Sequence, residues 1–236
     1  MLVRIGNFFF RYRDFVFPFA LLFVFLPGPA IFADPLLAVG LGFLVSAAGQ
    51  LVRGTTIGFK YIIRGGRDRR VYAADLVTEG LYGHSRNPMY VGNVLILTGI
   101  ALASDTWTCF LLAVPFCVFI YVSIIAAEEN FLRGKFGPAF DAYCRDVPRW
   151  LPRLKGLGET LRSMEFRWQR VIVKEYGTPF GWITMICVVG AVHLWRAGQL
   201  VADDPAARAL LAVWLVTFLL WAVARVLKKT KVLATH

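Results

Sequence analysis

Two adjacent carboxylates, Glu128-Glu129, close an apolar run over residues 106–127 that carries no charge of its own. Carboxylates at the end of a buried apolar helix are costly unless they reach water or a cation. At a helix C-terminus the macrodipole also favours positive over negative charge. Kept against both penalties, the pair is suited to hold a cationic group such as the α-amino group of an amino-acid moiety; a solvated helix end is the plainer alternative. A second polar patch, Gly80-Leu81-Tyr82-Gly83-His84-Ser85-Arg86-Asn87-Pro88-Met89-Tyr90-Val91-Gly92, lies against the start of the preceding apolar run. Proline suits the first turn of a helix and keeps Asn87 extended, so Asn87 is expected to cap that helix through its side chain. Tyr90 reads equally as a site residue and as an aromatic anchor at headgroup level. If both patches end on one side of a bilayer, they make a site at the membrane surface.

The elements that must position these residues are helices in lipid. Hydrophobic residues make up 58% of the chain and charged residues 17%, too few to cover a soluble domain of 236 residues. Six apolar segments stand out, at about 15–32, 36–52, 88–104, 106–127, 179–196 and 208–227. They are continuous rather than alternating, which favours helices that satisfy their own backbone over strands. Of the 26 Lys and Arg residues, three precede the first segment, seven lie in 53–87, ten in 128–178 and four after 224. Arg196 and Arg208 flank the remaining loop, and the turns at 33–35 and 104–106 carry none. Six spans with both termini cytoplasmic satisfy the positive-inside bias. The short outer turns predict antiparallel hairpins from spans 1–2 and 3–4.

The net charge of +11 does not point to nucleic acid. The basic residues gather beside apolar runs, where anionic lipid headgroups meet them. Residues 56–63 are expected along the interface, followed by a cationic turn at Gly65-Gly66-Arg67-Asp68-Arg69-Arg70, and residues 153–175 form an amphipathic surface helix. Pro115 is expected either to kink span 4 or to be tolerated by packing. Cys109, Cys117, Cys144 and Cys187 show no metal-ligand spacing, and no metal site is expected. The N-terminus is similar to a signal peptide, but a cut before Asp34 leaves Ile31 where a small residue is preferred, so an uncleaved first span is expected. His193 reads as an interfacial residue, and Trp182, Trp195, Trp214 and Trp221 as packing or belt residues.

The stretch Leu76-Val77-Thr78-Glu79-Gly80-Leu81-Tyr82 with Arg86-Asn87-Pro88-Met89-Tyr90-Val91-Gly92 resembles the signature of the isoprenylcysteine carboxyl methyltransferases and their phospholipid methyltransferase relatives. The likeness continues through Glu128-Glu129, Leu132, Phe136-Gly137, Tyr143, Val147-Pro148-Arg149 and Leu151-Pro152, and includes Gly49-Gln50 with Arg53. It covers about residues 45–152. It implies an all-α integral membrane methyltransferase core, not a Rossmann fold, with S-adenosyl-L-methionine in a pocket at the cytosolic face. By position, Ala74, Asp75, Leu76, Val77, Tyr82, Asn87, Pro88, Met89, Tyr90 and Glu128 line the cofactor pocket, and Tyr90, Glu129 and Arg53 are the candidate catalytic residues. Two positions differ from the family. Asn87 replaces its histidine and cannot titrate. Ile124 replaces the arginine that serves a substrate carboxylate.

The expected reaction is methyl transfer to a lipophilic substrate that enters sideways from the bilayer, in the manner of an isoprenylcysteine carboxyl methyltransferase. A phospholipid or small-amine N-methyltransferase is the alternative within the fold; a non-catalytic scaffold and a sterol-reductase-like NADPH enzyme are alternatives outside it. Tyr90, His84 and Glu129 compete for the role of proton acceptor. Residues 1–158 are expected to form the core, and 159–236 a surface helix with a C-terminal hairpin. The protein is expected to be multi-pass, in the inner or plasma membrane if the cell is bacterial. Its oligomeric state is not legible.

Overall fold

The computed structural model describes residues 1–60, 71–230 and 233. The chain is an all-α membrane protein; among the described residues there is no β-strand, only an isolated bridge between Ala30 and Thr106. Its helices are α1 (Leu2–Leu21), α2 (Pro35–Phe59), α3 (Pro88–Ala103), α4 (Trp107–Phe136), α5 (Pro138–Asp146), α6 (Leu157–Ser163), α7 (Trp168–Glu175), α8 (Gly177–Arg196) and α9 (Pro205–Lys229), with 3₁₀ turns at Leu22–Phe25 and Gly80–Gly83. Four of them, α2, α4, α8 and α9, are long and apolar enough to cross a membrane, and α3 is a shorter apolar helix. Helix starts follow local chemistry. Asp34 caps α2 through the Leu36 amide (2.8 Å), Thr106 caps α4 through Cys109 (3.3 Å), and Asp204 caps α9 through Ala206 and Ala207 (2.8 and 2.9 Å).

Three expectations are corrected. The first span does not begin at residue 15: α1 starts at Leu2 and carries Arg4, Arg11, Arg13 and Asp14 within it. A hydropathy count registers only its apolar half, whereas backbone hydrogen bonding extends through the charged turns. Nor does α1 pair chiefly with α2; it packs along α4, while α2 packs along α3. The 153–175 stretch is two helices, α6 and α7, not one. Between them Phe166 plugs the end of α2, its ring 5.0 Å from that of Phe59, and the Arg167 amide donates to the Gly58 carbonyl (3.1 Å). Pro115 lies inside an unbroken α4. The interfacial segment expected at 56–63 is helical through Phe59 and extended at Lys60, and residues 61–63, like the Gly65–Arg70 cluster, fall outside the described residues.

Small residues let the backbones touch, as helix association in lipid requires. On α2 and α3, Gly42 faces Gly99 and Gly49 faces Gly92, and the Ser46 hydroxyl donates to the Ile96 carbonyl (3.1 Å). On α1, Gly6 lies on the Ser123 carbonyl of α4. α8 packs on α2 and α3, burying Trp182, Ile186 and Val189 in one cluster with Ile96 and Ile100, and α9 leans on α8. At the far end, Asp105 accepts from the Ile31 and Phe32 amides (3.2 and 2.9 Å), tying the two outer turns together. The opposite end gathers the N-terminus of α1, the C-termini of α2 and α4, the start of α3, and α5 to α7. Gly99→Val is expected to force α2 and α3 apart and to cost about 1–3 kcal/mol, read as a lower unfolding midpoint in detergent. Gly40→Ala, where an added Cβ meets nothing within 4 Å, is expected to leave the midpoint unchanged.

Candidate functional site at the basic end of the helices

The polar patch before α3 is laced to the 147–153 segment. The Arg86 amide donates to the Pro148 carbonyl (2.9 Å), the Arg153 amide to the His84 carbonyl (2.9 Å), and the Ser85 hydroxyl to the Trp150 carbonyl (2.9 Å). Asn87 does not cap α3 through its side chain as expected; its amide reaches across to the Arg149 carbonyl (3.1 Å). His84 is buried with Nδ1 2.7 Å from the Arg153 carbonyl and Nε2 2.9 Å from the Thr160 hydroxyl. A carbonyl only accepts, so Nδ1 carries a proton and donates to Arg153.

Glu129 is the electrostatic centre of this lacing. It is 7% exposed and takes Arg86 on Oε1 (3.1 Å from Nη2) and Arg149 on both oxygens (3.1 and 2.5 Å). Arg86 spends its Nη1 on the Cys144 and Val147 carbonyls (2.9 and 2.7 Å). A carboxylate shared by two guanidinium groups is held by charge-assisted bonds. Glu129 therefore fastens α4 to the 86–87 and 147–149 segments, and it does not line the cavity described next.

Successive residues of an α-helix point about 100° apart, so fixing Glu129 in the clamp turns Glu128 elsewhere. The Tyr90 hydroxyl donates to Glu128 Oε1 at 2.7 Å. Both face a cavity of about 530 Å³ with Met89 and Asn93 of α3, and Tyr121 and Ile124 of α4. Arg13, Asp14 and Phe17 come from α1, Arg53 and Ile57 from α2, and Lys174 and Glu175 from α7. A second cavity of about 400 Å³ shares Phe17, Arg53, Asn93 and Tyr121 with it and is otherwise mainly apolar, running between α1, α3 and α8 past Ile96, Leu97, Ile100 and Trp182. The Tyr90 and Tyr121 rings, 5.2 Å apart, stand beside this junction.

Arg53 occupies the junction. Its guanidinium grips Glu175 through Nε and Nη2, the latter at 2.8 Å from Oε2. It also donates to the Asn93 side-chain oxygen and to Thr178 Oγ1 (3.3 Å). Gln50 joins by donating to Glu175 (3.2 Å) and accepting from Trp182 Nε1 (3.1 Å). Asn93 and Glu175 are site residues that sequence reasoning missed. Asn93 was signalled by being a lone amide in an apolar run, one turn after Tyr90. Glu175 gave no such signal, because a carboxylate shortly before span 5 reads as a solvated helix end.

Of the residues expected around a cofactor, Met89, Tyr90 and Glu128 share the charged cavity, with Arg53. The others do not line it. Leu76 packs with Phe140, Tyr143 and Val147, and the Ala74 carbonyl accepts from Lys135 (3.1 Å). Asp75 and Val77 lie in the same segment, while Asn87 and Pro88 are buried beside the clamp. Buried Tyr82 accepts through its carbonyl from the Tyr143 hydroxyl (2.7 Å), and burial pushes the Tyr143 phenol up, keeping it a donor. Glu129→Gln is expected to cost about 3 kcal/mol, chiefly by leaving buried Arg86 without its counterion, since Arg149 is half exposed. Glu128→Gln is expected to leave thermal stability much closer to the wild type, and melting curves of both variants in one detergent check the contrast.

Residues 30–139 match the family model described as phospholipid methyltransferase. The chain is 35% identical over 83 residues to the nickel-cobalt-cadmium resistance protein NccN of Alcaligenes xylosoxydans xylosoxydans, covering 35% of this chain and 38% of that protein. It is 38% identical over 80 residues to the cobalt-zinc-cadmium resistance protein CzcN of Cupriavidus metallidurans, covering 34% and 36% respectively. The chain thus spans little more than a third of the length of either relative. No solved structure matches it. The matched span holds Arg53, the Arg86–Gly92 stretch and Glu128-Glu129.

Proposed function

We propose that the protein transfers a methyl group from S-adenosylmethionine to the polar head of a lipophilic acceptor, at the cytosolic face of the membrane. The observation that carries this reading is the union of a charged cavity with an apolar groove at Arg53, Asn93, Phe17 and Tyr121. A volume of about 530 Å³ falls within the range of roughly 300–1,000 Å³ typical of cofactor pockets. Its side chains fit the methyl donor. Glu128 and Asp14 suit an ammonium group, Arg13 and Lys174 suit a carboxylate, and the Tyr90 and Tyr121 rings suit a sulfonium, which aromatic faces attract as they do other cations. The apolar groove suits the acceptor's hydrocarbon, approached from lipid between α1 and α8.

The cofactor supplies an electrophilic methyl carbon, which the acceptor's lone pair takes as the carbon–sulfur bond breaks and sulfur keeps its electrons. The chain contributes alignment and desolvation. Tyr90 fixes the Glu128 carboxylate, which holds the donor's ammonium group. Of the three proton acceptors considered, His84 and Glu129 are engaged in the lacing and lie outside the cavity. Tyr90 alone lines it, its hydroxyl bound to Glu128, so an amine acceptor reacts through its free-base lone pair and gives up its surplus proton to water afterwards.

An amine head is favoured over a carboxylate. Ile124, 1% exposed, puts an apolar wall where a carboxylate acceptor would need a cation. Metal resistance is what the names of the two relatives state. Among the described residues no three His, Cys, Asp or Glu side chains come together as metal ligands, so no observation carries that role into this chain. Labelled S-adenosylmethionine is expected to bind the purified protein saturably and to pass its label to a long-chain primary amine in mixed micelles. Glu128→Gln is expected to weaken binding about tenfold or more, since it removes a charge-assisted contact. Saturable binding of NADPH in place of the methyl donor, or of neither, would overturn the reading.

A further inference from the structure

Glu175 lies outside the family-matched residues, at the last turn of α7, yet it is 3% exposed and reaches into the site. Its partner Arg53 stands where the charged cavity opens onto the apolar groove, which is where an acceptor's head would meet the methyl donor. The grip is bidentate, with Gln50 closing the same carboxylate and Trp182 holding Gln50. The formal charges on the cavity wall balance: Arg13, Arg53 and Lys174 against Asp14, Glu128 and Glu175.

We propose that Glu175 selects the acceptor by charge: by neutralising and tethering Arg53 at the junction, it denies an anionic head the part-buried guanidinium that stands there. This rests on the reading of the groove as the acceptor's site. Without Glu175 the wall gains one net positive charge, centred on a guanidinium already aimed at the groove. An arginine freed in a partly desolvated site binds carboxylate, sulfonate or phosphate oxygens in its own fork geometry. Specificity here is a difference between two affinities, set by an internal counterion and not by contacts to the ligand. The C-terminal part of the chain then belongs to the site, because α7 supplies that counterion and α8 supplies Thr178, which accepts from Arg53, and Trp182, which donates to Gln50.

The test uses two photoactivatable long-chain probes of permanent charge, a sulfonate and a trimethylammonium, in nanodiscs of neutral phosphatidylcholine. The readout is the ratio of the two probes crosslinked to α3, α4 and α8. Wild-type protein is expected to favour the ammonium probe. Glu175→Gln is expected to move the ratio about tenfold toward the sulfonate, Arg53→Gln to move it the other way, and the double substitution to return near the wild-type value. Either single variant suffices if the other fails to fold, because their shifts are opposite in sign, whereas loss of packing alone would move both ratios alike. An unchanged ratio in a folded single variant, or shifts of the same sign, would overturn charge selection. No methyl donor is present, so failure of methyl transfer and failure of charge selection are read separately.

Discussion

One buried carboxylate sets the geometry of the basic end. Glu129 joins Arg86 to Arg149, and through them α4 to the start of α3 and to the segment after α5. Burying an ion costs several kcal/mol unless its partners satisfy it, and here two guanidinium groups do. With Glu129 fixed, the helical rotation of one residue carries Glu128 to the opposite task. It meets Tyr90 at the edge of a cavity instead of closing the fold. Two adjacent glutamates thus separate into one that holds the scaffold and one that faces a cavity.

A second buried pair does for the groove what the first does for the cavity. Arg53 and Glu175 bind the end of α2 to the end of α7, and Asn93, Thr178, Gln50 and Trp182 fill the remaining hydrogen-bonding positions. Between the two pairs runs a passage from charged to apolar lining, suited to an amphipathic molecule whose reactive end must meet a water-soluble partner. The close glycine contacts of α2 with α3 keep Arg53 and Tyr90 in register across that passage.

Much of this was legible in the sequence because it rests on local signals. Continuous apolar runs, proline at helix starts and the one-sided distribution of arginine and lysine mark the helices and their common basic end. Two costly carboxylates after an uncharged run mark Glu128 and Glu129, although their division of labour needs the clamp in three dimensions. Glu175 was out of reach because its partner is far away in sequence, and a carboxylate ahead of an apolar run looks like any solvated helix end. Asn87 misled for a related reason. The residue type and Pro88 signalled a cap, but a tertiary carbonyl at Arg149 competed for the side chain and won. The start of α1 was hidden because charged turns count against hydropathy while costing a helix little.

The central claim is that the methyl donor lies in the charged cavity between α1, α3, α4 and α7. Photolabelling with radiolabelled S-adenosylmethionine, followed by mapping of the labelled peptides, tests it most directly. Label on residues 89–93 and 121–128, competed away by excess unlabelled cofactor, is the expected result. Competed label confined to residues 74–82, away from Tyr90 and Glu128, would contradict it.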